Sequence, residues 1–130
     1  MAKFAHADVL DNGLSYIKTN CNKMALISSY TAGATYATVT AAILAEAVMT
    51  PADFVLSSNV NDRVLTTASG KQDTSANATG GSATNHIAFL DTANSKVLWV
   101  TEETTGQVVT AGNTVTFPSL TYTAKQPTAV

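Results

Sequence analysis

"SATNHIAFLDTANSKVLWV" runs from Ser82 to Val100. Two runs rich in β-formers, "NHIAFLD" and "KVLWVTE", flank the turn formers of "TANS". That is the pattern of an antiparallel hairpin. The same stretch holds His86, Asp91, Trp99 and a Ser/Thr-rich approach. It is either β-scaffold or a chemical site, and the choice bears on fold and function together.

The chemical readings are weak, residue by residue. "GGSAT" from Gly80 to Thr84 comes near the nucleophile turn Gly-x-Ser-x-Gly, but Thr84 stands where the second glycine belongs. A side chain there clashes in the sharp turn. His86 starts a strand, with Ile87 and Phe89 alternating to the opposite face. It reads as a partly buried or rim histidine satisfied by one hydrogen bond. His6 is equally alone, and two histidines without a carboxylate at ligand spacing make no metal motif. "DTANS" lacks the further carboxylates and the terminal glutamate of a calcium loop. Asp91 and Asn94 are better explained as turn residues bonding local backbone.

The remaining polar residues read the same way. Glu102 and Glu103 are neighbours on a strand and point to opposite faces, so they cannot flank one substrate bond. "ASGKQ" around Lys71 lacks the upstream glycine of a phosphate loop, and Gln72 replaces its Ser or Thr. Trp99, Phe89, Phe117 and Tyr122 sit at strand spacing and read as core rather than as a ligand groove. Tyr30 and Tyr36 flank a Gly-containing loop. No catalytic, cofactor-binding or metal-binding residue is predicted, and the chain is expected not to be an enzyme.

Outward from the hairpin, the period stays strand-like from Pro51 onward. "DFVLSS" and "DRVLTTA" are short strands, and "SGKQDTSANATGGSA" is a polar loop. "QVVT", "AGN" and "TVTFPSLTYTA" predict a second hairpin turning at Gly112-Asn113, with Pro118 at a bulge or edge. The tail "KQPTAV" reads as extended.

The N-terminal third reads as helical. Leu10, Leu14, Ile17 and Cys21 share one helix face, with Asp8 as N-cap and Asp11 near the positive end of the dipole. "KMALISS" is a strand. "ATVTAAILAEAVM" aligns Val39, Ile43 and Ala47 and predicts a second helix, stopped before Pro51. The expected fold is α+β, mainly β. An antiparallel sandwich or barrel-like sheet carries one or two N-terminal helices, which cover one face or one end of it. Residues 1–130 form one domain, with a helical part over 1–50 and a β-rich part over 51–130.

Composition narrows the function classes. The net charge is −2, and the 7 basic residues are scattered singly. Nucleic-acid binding needs a basic stripe against phosphates, so it is not expected. No apolar run approaches the roughly 20 residues of a membrane span. "MAKFAHADVLDNG" has no apolar core of a signal peptide, which points to folding in the cytoplasm. The single cysteine, Cys21, excludes an intrachain disulfide and a Cys-cluster zinc site. Charged residues make up 12%, against about 25% in a typical domain. Such a surface lacks the repulsion that keeps copies apart, which hints at assembly.

Three pieces of the sequence share a pattern. They are Leu10 to Ile17 (Leu-Asp-x-Gly-Leu-x-Tyr-Ile), Ala83 to Asp91, and Val109 to Thr114 (Val-Thr-Ala-Gly-Asn-Thr). With "PADFVLSSNVNDRVLTTASG" between them, the chain resembles a family of small virion structural proteins of tailed bacteriophages and related prophages. Asn85 here interrupts the Thr-His pair of that pattern. The resemblance implies a capsid decoration (cement) protein, with the major capsid protein and copies of itself as partners. It implies a place on the capsid surface after folding in the bacterial host cytoplasm. No catalytic residue and no cofactor carries over. On this reading the chain ends are interface arms: Met1, Ala2, Lys3 and Phe4 at one end, Gln126, Pro127 and Val130 at the other. Deleting Met1 to Ala5 is expected to weaken attachment without unfolding the domain. Two alternatives stand beside it. One is a minor tail or tail-fibre component; the other is a carbohydrate-binding β-module, which needs Trp99 or a tyrosine exposed.

Overall fold

The computed structural model of the chain describes residues 4–5, 13–59, 62–102 and 108–124; for Phe4, Ala5, Asn59 and Asp62 it describes the backbone alone. The elements are β1 (Phe4–Ala5), α1 (Leu14–Asn20), β2 (Lys23–Ile27), α2 (Tyr36–Ala41), β3 (Ile43–Val48), a 3-10 turn (Pro51–Asp53), β4 (Phe54–Asn59) and β5 (Asp62–Thr67). They continue with β6 (Gln72–Asp73), β7 (His86–Asp91), β8 (Lys96–Glu102), β9 (Val115–Thr116) and β10 (Thr121–Ala124).

The hairpin of Ser82 to Val100 forms at the centre of the larger sheet. β7 pairs antiparallel with β8, from His86 opposite Glu102 to Asp91 opposite Lys96. The turn closes on Asp91, whose carboxylate accepts from the Asn94 amide at 3.2 Å and from Asn94 Nδ2 at 2.8 Å. A register shift follows Phe89: Trp99 opposes Phe89, but Val97 opposes Leu90. Leu98 is therefore an extra residue on β8, a bulge. The bulge puts Leu98 and Trp99 into one hydrophobic cluster and Val97 and Val100 into the other, which strict alternation does not allow.

The five strands run in the order β1-β8-β7-β2-β3, all antiparallel. β4, β5 and β10 form a second, three-stranded sheet in the order β10-β5-β4, and β6 pairs with β9. Among the described residues the protein is mainly β, with antiparallel sheets and two short helices, and no sheet closes on itself.

Both faces of the five-stranded sheet are covered. On one face Met24, Leu26, Ile87 and Phe89 pack with Phe54 and Leu65 of the three-stranded sheet and with Leu14 and Ile17 of α1. On the other, Ala25, Ile27, Ala88 and Leu90 pack with Val39 of α2 and with Tyr30 and Tyr36. Strands covered on both faces lose the alternation of polar and apolar residues, and all six residues of β7 are buried.

Three expectations are corrected. First, residues 43–48 are not helical. α2 ends at Ala41, and β3 pairs with β2 from Lys23 opposite Val48 to Ile27 opposite Ile43. "ILAEAV" has fair helix propensity, but β2 presents an apolar edge, and pairing there buries Leu44, Ala45 and Ala47. Tertiary packing overrides a weak local preference. Among the described residues, 1–50 thus supply β1, β2 and β3 beside α1 and α2.

Second, the segment after Val108 is not a hairpin. Gly112, at φ +87°, does close a turn, but the flanking residues find distant partners. Val109 bridges Gly80, Val115–Thr116 pairs with β6, and Thr121–Ala124 pairs with β5. Pro118 falls between β9 and β10, outside any ladder. Gly80 is needed where it stands: a Cβ there meets Leu44 Cδ2 at 3.3 Å with φ at +155°.

Third, the two helices do not share a face. α1 packs on the side of the three-stranded sheet and α2 on the opposite side. α1 starts at Leu14 after Gly13; Asp8, Leu10 and Asp11 lie outside the described residues.

Candidate functional site

His86 is buried, at 3% exposure. Its Nδ1 lies 2.7 Å from the Thr84 carbonyl oxygen. A carbonyl only accepts, so Nδ1 carries a hydrogen. Nε2 is buried without a hydrogen-bond partner, and the Tyr30 ring lies 5.9 Å away, centroid to centroid. One hydrogen bond to local backbone matches the reading of His86 as a scaffold residue.

No Ser/His/Asp triad assembles around it. His86 and Asp91 are the two ends of β7, roughly 16 Å apart at about 3.3 Å per residue. Ser82 Oγ shares a hydrogen bond with Thr84 Oγ1 at 3.0 Å, and the Ser82 amide donates to Asn85 Oδ1. Asn85 is itself fully buried. The approach to β7 is thus a capped turn held by its own polar groups.

The aromatic residues make core. Phe89 stacks on Trp99 at 4.4 Å and 11°, Trp99 meets Tyr122 edge-on at 5.3 Å, and Phe54 meets Phe89 at 6.3 Å. Phe117 is buried and Trp99 is only 5% exposed. The aromatic platform of a carbohydrate-binding module therefore does not lie at Trp99. Tyr16, Tyr30, Tyr36 and Tyr122 are half-buried.

The charged residues are engaged locally. Lys71 pairs with Asp53 at 3.2 Å, and Asp53 also accepts from the Thr50 amide at 2.8 Å. Burial pushes the Asp53 carboxyl up, but the Thr50 amide and Lys71 outweigh it and hold the group below the usual carboxylate range. A carboxyl whose folded value is depressed adds stability above its unfolded value. That contribution is lost as pH falls through the folded value. Denaturation midpoints should therefore fall with acid below about pH 4, and Asp53→Asn should flatten that slope. Equal slopes for the two proteins would refute the assignment.

Cys21 is buried, and burial pushes its thiol up to about 12, so little thiolate exists near neutral pH. Among the described residues, no three His, Cys, Asp or Glu come together as metal ligands. No helix among them is long and apolar enough to cross a membrane. His6, Glu103, Met1, Ala2, Lys3, Gln126, Pro127 and Val130 lie outside the described residues. Phe4, expected in a free arm, is instead in β1: its backbone pairs with Val100 and that of Ala5 with Trp99. The outer backbone of β8 needs that partner, so a deletion through Ala5 would strip an edge strand rather than a loose end.

The surface feature that remains is a sheet face. In the three-stranded sheet, Phe54, Leu65 and Tyr122 turn inward to the core. By alternation Val55, Ser57, Val64, Thr66, Thr121 and Thr123 turn outward. Val55 opposes Thr66, which opposes Thr121; Ser57 opposes Val64, which opposes Thr123. Val55 is 61% exposed, and none of these six side chains is charged. The strand alternation of "DFVLSS" and "DRVLTTA" foretold part of this face; the arrival of β10 from 54 residues beyond β5 had no local signal. Comparison with family models, with curated proteins and with solved structures finds no match.

Proposed function

We propose that this chain is a non-enzymatic structural protein of a tailed-bacteriophage particle: a capsid decoration (cement) protein on the outer shell. The observation that carries the proposal is the outward face of the three-stranded sheet, where Val55, Val64 and Thr66 stand among hydroxyls without a charge. The small sheet lies over the five-stranded one as a sandwich and offers this face as a plate. The described outward side chains of this plate carry no charge and several are β-branched, so removing water from them desolvates no ion. The sequence resemblance to small virion proteins and the 12% charged residues point the same way. The partners are the major capsid protein and copies of this chain.

Magnitude refines the reading. Two strands of six residues and one of four, about 4.8 Å apart, make a plate on the order of 250 Å². Specific interfaces bury about 800 Å² per partner. One plate is therefore too small for lasting attachment, and a cement protein built on it needs further contacts from each copy. Binding across joints between capsomers supplies them and adds interface free energy against internal pressure.

The test is the copy number in purified particles, by quantitative mass spectrometry against the major capsid protein. One copy per capsid subunit, or a simple fraction of that, is expected. A handful of copies would move the protein to the tail or a vertex, and absence from particles would end the virion reading.

A further inference from the structure

β10 pairs with β5 and, among the described residues, has no strand on its other side. Its hydrogen-bonding parity follows from its neighbour. The Thr67 amide donates to the Leu120 carbonyl, and the Leu120 amide to Thr67 Oγ1. Leu120, Tyr122 and Ala124 thus direct their backbone toward β5. The N–H and C=O groups of Thr121 and Thr123 point away from it. No group among the described residues bonds to those four.

The edge of β3 and the start of the β4 edge are guarded. On β3 the Asp73 carboxylate accepts from the Glu46 amide at 2.9 Å, and the Asn77 and Ala78 amides donate to the Leu44 carbonyl. On β4 the Lys18 ammonium donates to the Phe54 carbonyl at 2.6 Å. Charged side chains on an edge are a standard defence against pairing with another chain. β10 reads Thr-Tyr-Thr-Ala and has neither a charge nor a proline.

We propose that this edge pairs with the same edge of a second copy, antiparallel across a two-fold axis. The proposal rests on the self-association in the reading above and assigns its surface. An axis at Tyr122 sets Thr121 opposite Thr123 of the second copy and joins them by four N–H···O bonds. Thr–Thr pairs are favourable across strands. A two-fold also brings every charge on a pairing strand close to its own copy, and β10 brings none. Pairing fuses two three-stranded sheets into a six-stranded one and doubles the uncharged plate. Four residues per strand make a small contact, so the dimer is weak in dilute solution and favoured where copies are crowded.

Sedimentation equilibrium of the full chain from about 1 µM to about 1 mM tests this. The average mass should rise with concentration toward twice the monomer. Thr123→Pro removes an outward N–H and leaves the β5 ladder intact, and should weaken association at least tenfold. Thr121→Lys places a charge on the edge and should do the same, so the test stands if the proline variant does not fold. A chain that stays monomeric throughout, or folded variants that associate like the parent, would overturn the proposal. The virion reading is separable: a dimer absent from particles removes that reading alone, and a monomer abundant on particles removes edge pairing alone.

Discussion

Phe89→Ala should cost about 3–5 kcal/mol of folding free energy. Phe89 is fully buried and lies between Trp99, stacked at 4.4 Å, and Phe54 of the opposite sheet. Truncation removes the ring that joins the two sheets and leaves a cavity lined by rigid aromatic faces, which cannot collapse to fill it. Domains of this size have about 5–15 kcal/mol in total, so the variant should be close to unfolding at 37 °C. Urea denaturation followed by Trp99 fluorescence reads this directly, because Trp99 is the only tryptophan and touches the altered site. Val55→Ala, on the exposed face, should stay within about 0.5 kcal/mol of the parent. Midpoints for Phe89→Ala near that of the parent would mean that the sheets are not held together here.

What could be read from the sequence divides by the range of the interaction. The β7–β8 hairpin was legible because its strands and its turn are contiguous and agree. "TANS" carries turn chemistry, and Asp91 and Asn94 make the local bonds that such residues make. The bulge at Leu98 was not legible, since an added apolar residue in an apolar run changes no pattern. "ILAEAV" misled because its composition favours helix, while its structure is set by an edge of β2 that local sequence does not reveal. Around Gly112 the turn was right and the strands were wrong. Val115 and Thr121 pair with residues 42 and 55 positions away, and local alternation carries no information about such partners. The reading of the site followed the same rule. Each catalytic or metal motif depends on neighbours within a few residues, whereas the outward plate needs three strands from two distant parts of the chain.

Val55→Asp should lower attachment to shells by about a hundredfold or more, while leaving the monomer folded. Val55 lies on the edge strand β4 and is 61% exposed, so a carboxylate there stays hydrated in the free protein and disturbs no packing. Docking would strip that water from a face that offers no cation. An ion left buried and unpaired costs about 3–5 kcal/mol, and about 2.7 kcal/mol already corresponds to a hundredfold in affinity. Val55→Ser keeps the hydroxyl character of its neighbours Ser57 and Thr66 and should stay within about tenfold of the parent. Cosedimentation of each variant with shells stripped of this protein, with unfolding midpoints measured in parallel, separates the two effects. If Val55→Asp binds as the parent does, the plate is not the docking face, and another surface must carry the attachment. If both variants lose binding equally, shape rather than desolvation decides. The contrast between the aspartate and the serine is therefore the measurement that ties the low charge of the whole chain to one surface: what the protein gains by omitting ions should be lost when one is put back at Val55.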